Sequence, residues 1–168
     1  MTNAMKDLIR TTAAAGAAAG VCAAMLLAPA GHAAAAGGKT RTLRFYDKVV
    51  SVQITKADGT VVATPPFPDP GPGDTLDVVA LDFAGNHVKH AKTASGSSHL
   101  RCVFPAQPGP PDCISHVAFG SSMLVFEGNP GKVILGTGKY FRATGRVLSS
   151  TTIGGGNDSD VVARVTLR

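Results

Sequence analysis

In the stretch LRFYDKVV, two neighbouring side chains could do acid–base chemistry: Tyr46 and Asp47. Alternation along an extended segment puts Leu43, Phe45, Asp47 and Val49 on one face. A carboxyl on an apolar face loses solvation when it ionises. Its pKa rises, and it can act as a general acid or base near neutrality. The competing possibility is that Asp47 faces water and pairs with Lys48 or Arg44. His90, His99 and His116 fall in three separate segments. His116 shares a face with Ile114 and Ala118 and is the best placed of the three to line a pocket. No spacing among them is diagnostic of metal ligation, so no metal is expected. Ser97-Ser98 and Ser121-Ser122 each follow a glycine, but neither forms a GxSxG nucleophile elbow. A paired-carboxylate motif for glycoside hydrolysis is also missing from the linear sequence.

The segment GTGKYFRATG, Gly136 to Gly145, has the look of a phosphate-gripping loop. A dinucleotide fingerprint needs a third glycine where this chain has Phe141, and it must open a helix. A P-loop needs Ser or Thr after its lysine, and Lys139 is followed by Tyr140. Both phosphate readings fail. The segment reads instead as a strand, a tight turn at Gly136 and Gly138, and a second strand in which Gly145 marks a bulge or a corner.

These groups must be positioned by strands. The apolar runs are short, rich in Val, Ile, Phe and Thr, and separated by Gly, Pro, Asn and Asp, with no convincing helical period. Strands are predicted at Thr42–Thr55, Thr75–Phe83, His87–Thr93, His99–Phe104, Ile114–Phe119, Met123–Phe126, Lys132–Leu135, Tyr140–Ser150 and Val161–Leu167. Asp58-Gly59 is a hairpin signal, as are Ala84-Gly85-Asn86 and Asn129-Pro130-Gly131. Pro65 to Asp74, PPFPDPGPGD, cannot pair in a sheet. Asn157-Asp158-Ser159 fits a glycosylation sequon and marks an exposed loop. An all-β domain follows, either a sandwich or an antiparallel barrel. Polar residues on both strand faces, such as Asp82, His90 and His116, favour the barrel.

The 168 residues suggest one domain. The first 33 carry Lys6 and Arg10, an uncharged run, and small-residue sites ending at Ala30 or Ala33. This is the pattern of a cleaved secretory signal peptide. A tether over 34–40 and one barrel domain over 41–168 would follow, placing the protein outside the cell. Cys22 would leave with the signal and does not sit in a lipidation site. Cys102 and Cys113 remain, flanking a Pro-rich loop, and are predicted to form a disulfide. The net charge of +5 is mild and scattered, with little aromatic interleaving, so no nucleic-acid partner is expected.

The order of several weak motifs resembles the dirigent and allene oxide cyclase barrel superfamily, in particular its secreted bacterial members. These motifs are the GTG segment with its aromatic, Ala and Gly; Gly73-Asp74 opening a strand; Leu81-Asp82-Phe83 with Gly85; and His99-Leu100-Arg101-Cys102 with Cys113. The resemblance spans about Thr42 to Leu167. It implies an eight-stranded antiparallel, calycin-like barrel around an apolar cavity. It also implies a cofactor-free isomerase or cyclase that confines a small apolar or phenolic guest. The plant cyclase pattern wants a carboxylate inside the barrel on the first strand, for which Asp47 is the candidate. The dirigent pattern wants several acids in the pocket, and this chain offers few. Asp47 and Tyr46 are the catalytic candidates. Phe45, Arg101, His116 and Tyr140 are the candidate ligand contacts. The partner expected is a small molecule, held by a monomer or a homo-oligomer, with no stable membrane insertion once the signal is removed. A non-catalytic ligand carrier and a purely structural surface protein are the alternatives.

Overall fold

The structure is a computed structural model that describes residues 38–168. The predicted signal segment with Cys22, and residues 34–37 of the predicted tether, lie outside the described residues. Nine strands follow in chain order: β1 (Lys39–Thr55), β2 (Val61–Val62), β3 (Thr75–Ala84), β4 (Gly96–Val103), β5 (Asp112–Phe119), β6 (Ser122–Glu127), β7 (Lys132–Gly136), β8 (Thr144–Thr152) and β9 (Ser159–Leu167). All pair antiparallel. From β3 to β9 each strand pairs with the next, and β1 pairs with both β3 and β9. The result is a closed eight-stranded barrel, with β2 appended to the last two residues of β1.

Closure depends on the length of β1. Its first part runs against β9, from Lys39↔Leu167 to Asp47↔Ser159. Its second part runs against β3, from Phe45↔Ala84 to Thr55↔Thr75. The register shifts between Val49 and Ser51, where Val50 bulges outward into solvent. Such a bulge bends and twists the strand, which helps one strand serve two neighbours.

Local chemistry sets the turns as predicted. At Asp58-Gly59 the glycine takes φ +87° and the Asp58 carboxylate accepts the Thr60 N–H at 2.8 Å. Asp74, buried at the start of β3, accepts from Lys56 Nζ at 2.7 Å, Gly71 N–H at 2.7 Å and Ala57 N–H at 3.0 Å. The Lys56 bond is the main reason that its carboxyl is held below the usual range, despite burial. Asp74 ties the β1–β2 hairpin to the end of the Pro-rich loop.

Three expected elements differ. β1 begins at Lys39, so Lys39 and Thr40 of the predicted tether lie in the barrel wall. The predicted strand His87–Thr93 is absent. Only Gly85 and His90 form an isolated bridge. Gly85 takes φ +121°, and the Asn86 side chain accepts the Lys89 N–H at 2.8 Å, so the chain doubles back instead of extending. The predicted strand from Tyr140 starts only at Thr144, because Gly138–Tyr140 is a 3-10 turn.

The interior is packed with Phe45, Val117, Leu124, Phe126, Val133, Tyr140, Val161, Ala163 and Val165, and Leu124, Ala163 and Val165 are wholly inaccessible. Cys102 and Cys113 are register partners on β4 and β5. They form the expected disulfide, buried on the inner face. The bridge spans a sequence separation of 11. Constraining a loop of that size in the unfolded chain is worth about 2–3 kcal/mol. Urea titration with and without reductant, or of Cys102→Ala/Cys113→Ala, should show a stability loss of that order. An unchanged midpoint would show that the bridge adds nothing.

Candidate active site

Inside the barrel wall two aspartates face each other. Asp47 on β1 and Asp82 on β3 are register partners. Both lie on the inner face, two residues along from Phe45 and Ala80 of the core. Asp82 is 0 % exposed and accepts a 2.9 Å hydrogen bond from the Ser98 hydroxyl on β4. Two buried side-chain oxygens find no conventional donor among the described residues: Asp47 Oδ1 and Asp82 Oδ2. The carboxyls are within hydrogen-bonding reach of each other, and one shared proton satisfies the pair.

Burial is the main force raising the Asp47 pKa, to about 9, followed by the charge and hydrogen bond of Asp82 and then the charges of Asp158 and Asp160. Burial also raises Asp82, but hydrogen bonds from Ser98 and Asp47 counter it. Asp47 is therefore protonated at neutral pH, and the two carboxyls hold that proton between them. Like charges so close cannot both ionise in a poorly solvated site. The pair can give a proton at one oxygen of a guest and take one at another.

Phe45 and Tyr140 join this interior. Phe119 stacks edge-on against both, each at 5.9 Å between centroids. The GTG segment positions Tyr140. A Cβ at Gly136 would collide with the Tyr140 carbonyl, and one at Gly138 (φ +57°) with the Ser122 hydroxyl. Ser122 instead accepts the Lys139 N–H at 3.1 Å. The Lys139 ammonium lies 5.0 Å from the Tyr140 ring centroid. The loop is thus an aromatic-positioning turn with no phosphate cradle. Gly145 permits close approach of β9, where a Cβ would strike the Arg164 carbonyl.

The other candidates lie elsewhere. Tyr46 neighbours Asp47 in sequence, so pleating turns it to the outer face. There it stacks with His90 at 5.1 Å and donates to Asp158 Oδ2 at 2.5 Å, a bond that raises its pKa. Arg101 and His116 are on the outer wall for the same reason, opposite in sense to Cys102 and Val117. The Arg101 side chain is 60 % exposed and lies 3.8 Å from Asp77, which also accepts from His99 at 2.9 Å. Neither Arg101 nor His116 lines the interior. Asp82 and Ser98 were not singled out from sequence as site residues. The signal for Asp82 was a carboxylate flanked by Leu81 and Phe83 within a predicted strand.

Two clefts open on the outside. One, of about 300 Å³, lies between Arg44, Lys89, Asp160 and Val162. Beside it His87 and Asp160 pair at 2.6 Å, fastening the β3–β4 loop to β9. The other, of about 240 Å³, lies between the bulged part of β1 and Pro65, Phe67 and Asn157. Among the described residues no cluster of His, Cys, Asp and Glu could hold a metal ion.

A closed eight-stranded antiparallel barrel with this strand order has the dirigent and allene oxide cyclase fold. Solved structures bear this out. A pterocarpan synthase dirigent protein superposes with a TM-score of 0.54 at 16 % identity, covering 85 % of this chain and 97 % of its own. A pyocyanin demethylase superposes with a TM-score of 0.51 at 13 % identity, covering 73 % of this chain and 99 % of its own. No protein-family model and no curated protein sequence matches the chain. At these identities the likeness establishes the fold alone.

The raised pKa has a thermodynamic consequence. Between the ordinary carboxyl value of 3.8 and about 9, the folded chain holds a proton that the unfolded chain has released. Stability from this source is full below about pH 4 and is lost as the pH rises toward 9. Its limiting slope is about 1.4 kcal/mol per pH unit. Urea midpoints across that range should fall with pH in the native protein and flatten in Asp47→Asn. A protonated-carboxyl C=O band at neutral pH, absent from Asp47→Asn, gives a direct infrared check.

Proposed function

We propose that this protein is a secreted barrel that holds a small apolar or phenolic molecule and isomerises or cyclises it without a cofactor. The observation that carries the reading is the Asp47–Asp82 pair, two facing carboxyls whose pKa values burial raises, in a barrel interior that also holds Phe45 and Tyr140. In such a reaction Asp47 donates its proton to a carbonyl or epoxide oxygen of the guest. Asp82 accepts a proton released from carbon or a phenol as the ring closes or the bond migrates. The proton count is unchanged over the cycle. Confinement supplies orientation and water exclusion, and Ser98 holds Asp82 in position. The buried disulfide supports an oxidising, extracellular setting.

The two similar structures are a pterocarpan synthase dirigent protein and a pyocyanin demethylase, so the fold does not choose the reaction. A second reading has its own observation: the interior is densely filled around Leu124, Ala163 and Val165. That packing suits a non-catalytic structural protein of the cell surface, its barrel filled by its own side chains.

Turnover of an epoxide fatty acid and of a phenolic quinone methide would separate the two. Asp47→Asn should keep the fold and probe binding while losing turnover by about a hundredfold or more, the usual weight of general acid–base catalysis. Binding without turnover in the native protein would point to a ligand carrier, and neither binding nor turnover would favour the structural protein.

A further inference from the structure

The outer wall of the barrel carries a row of cations that form no ion pair among the described residues. Lys132 on β7 is the register partner of Arg146 on β8, and Arg146 is the partner of Arg164 on β9. Arg44 on β1 sits diagonally beside Arg164, because Arg164 faces Thr42 and Val162 faces Arg44. All four are exposed. Among the described residues none of them forms an ion pair. Two carboxylates are near. Glu127 faces Lys132 from β6, on the far side from Arg146. Asp160 on β9 is taken by His87. Like charges placed directly opposite on neighbouring strands destabilise a sheet. This row crosses β7–β8, where Lys132↔Arg146 is the single register pair.

A second row runs alongside. Thr144, Thr166 and Thr40 are successive register partners on β8, β9 and β1, and the Thr40 and Thr166 hydroxyls are 3.0 Å apart. The Lys132–Arg146–Arg164 and threonine rows contain no aromatic or aliphatic side chain, and the exposed Ile134 and Leu148 of the same strands lie outside them. Strands are about 4.8 Å apart, so the cations repeat at roughly the interval of successive sugar rings in an extended chain. Guanidinium forks take carboxylate or sulfate oxygens in pairs, and threonine hydroxyls suit a hydroxylated chain. Single-stranded nucleic acid would want aromatic stacking platforms, and a membrane would want apolar groups to insert.

We propose that the wall formed by β7, β8, β9 and β1 docks an acidic polysaccharide, laid across the strands, whose carboxylates or sulfates pair with Lys132, Arg146, Arg164 and Arg44. The polymer supplies counter-charge to Arg146 and Arg164, which have no carboxylate as register partner. This surface is separate from the Asp47–Asp82 pair and does not depend on it.

The test is retention of the protein on immobilised polygalacturonate in a salt gradient. Arg146→Glu/Arg164→Glu is compared with Lys48→Glu/Lys92→Glu, which changes net charge equally but lies off the row. Circular dichroism and thermal melting confirm the fold of each. If the first variant is misfolded, Arg146→Gln/Arg164→Gln carries the comparison. The native protein and the Lys48/Lys92 variant should bind, with salt-sensitive elution, and the row variant should bind at least about tenfold more weakly. Equal weakening in both variants would reduce the effect to net charge and overturn the proposal. So would tighter binding to phosphatidylglycerol vesicles or to an oligothymidine than to polygalacturonate.

Discussion

The pairing of β1 with β9 is the constraint on which the remaining features rest. Without it the sheet would be an open ribbon with two long edges and no inside. With nine register pairs from Lys39↔Leu167 to Asp47↔Ser159, each strand has a fixed inner and outer face. The last of those pairs is also where Asp47 meets Asp82 across β3. The joint that closes the barrel therefore also takes one oxygen of the first carboxyl, Asp47 Oδ1, out of water. The Val50 bulge follows three residues later and lets the rest of β1 follow β3 alone.

Once the faces are fixed, pleating assigns each polar group to a compartment. Asp47, Asp82 and Ser98 go inward, where burial outweighs their ordinary acidity. Tyr46, Asp158, His87 and Asp160 go outward or to the rim, where they fasten two loops onto β1 and β9. The cations of β7, β8 and β9 go outward too, with no carboxylate beside them but Glu127 and the occupied Asp160. The barrel separates a site where charge is suppressed from a wall where charge accumulates. The mild total of +5 hides that separation.

Much of this was legible in the sequence because it rests on local rules. Alternation in LRFYDKVV correctly grouped Phe45 with Asp47, and turn chemistry marked Asp58-Gly59. The cysteines flanking a Pro-rich loop were correctly joined. What was not legible is set by pairing between distant segments. Asp82 is 35 positions from Asp47, and only the register of β1 against β3 makes them partners. His116 was correctly grouped with Ile114 and Ala118, but which face of β5 is inner depends on closure. His87–Thr93 failed for another reason. Its Val88 and His90 alternate like a strand, while Gly85 and the Asn86 side chain fold the chain back on itself.

Beyond Asp47, the side of β1 that faces away from β3 has no β9 to meet. Only β2 covers it, at Ile54 and Thr55. In the stretch between, backbone donors and acceptors lie beside a loop instead of a strand. That loop includes Pro65 and Phe67, at the start of PPFPDPGPGD. Proline has no N–H to extend a ladder, and its ring obstructs an incoming strand. A second molecule approaching this gap meets a segment that cannot continue the sheet. The prolines thus act as gatekeepers against strand addition between molecules, the step from which fibrils grow, at a place where closure leaves an edge of β1 without a partner strand.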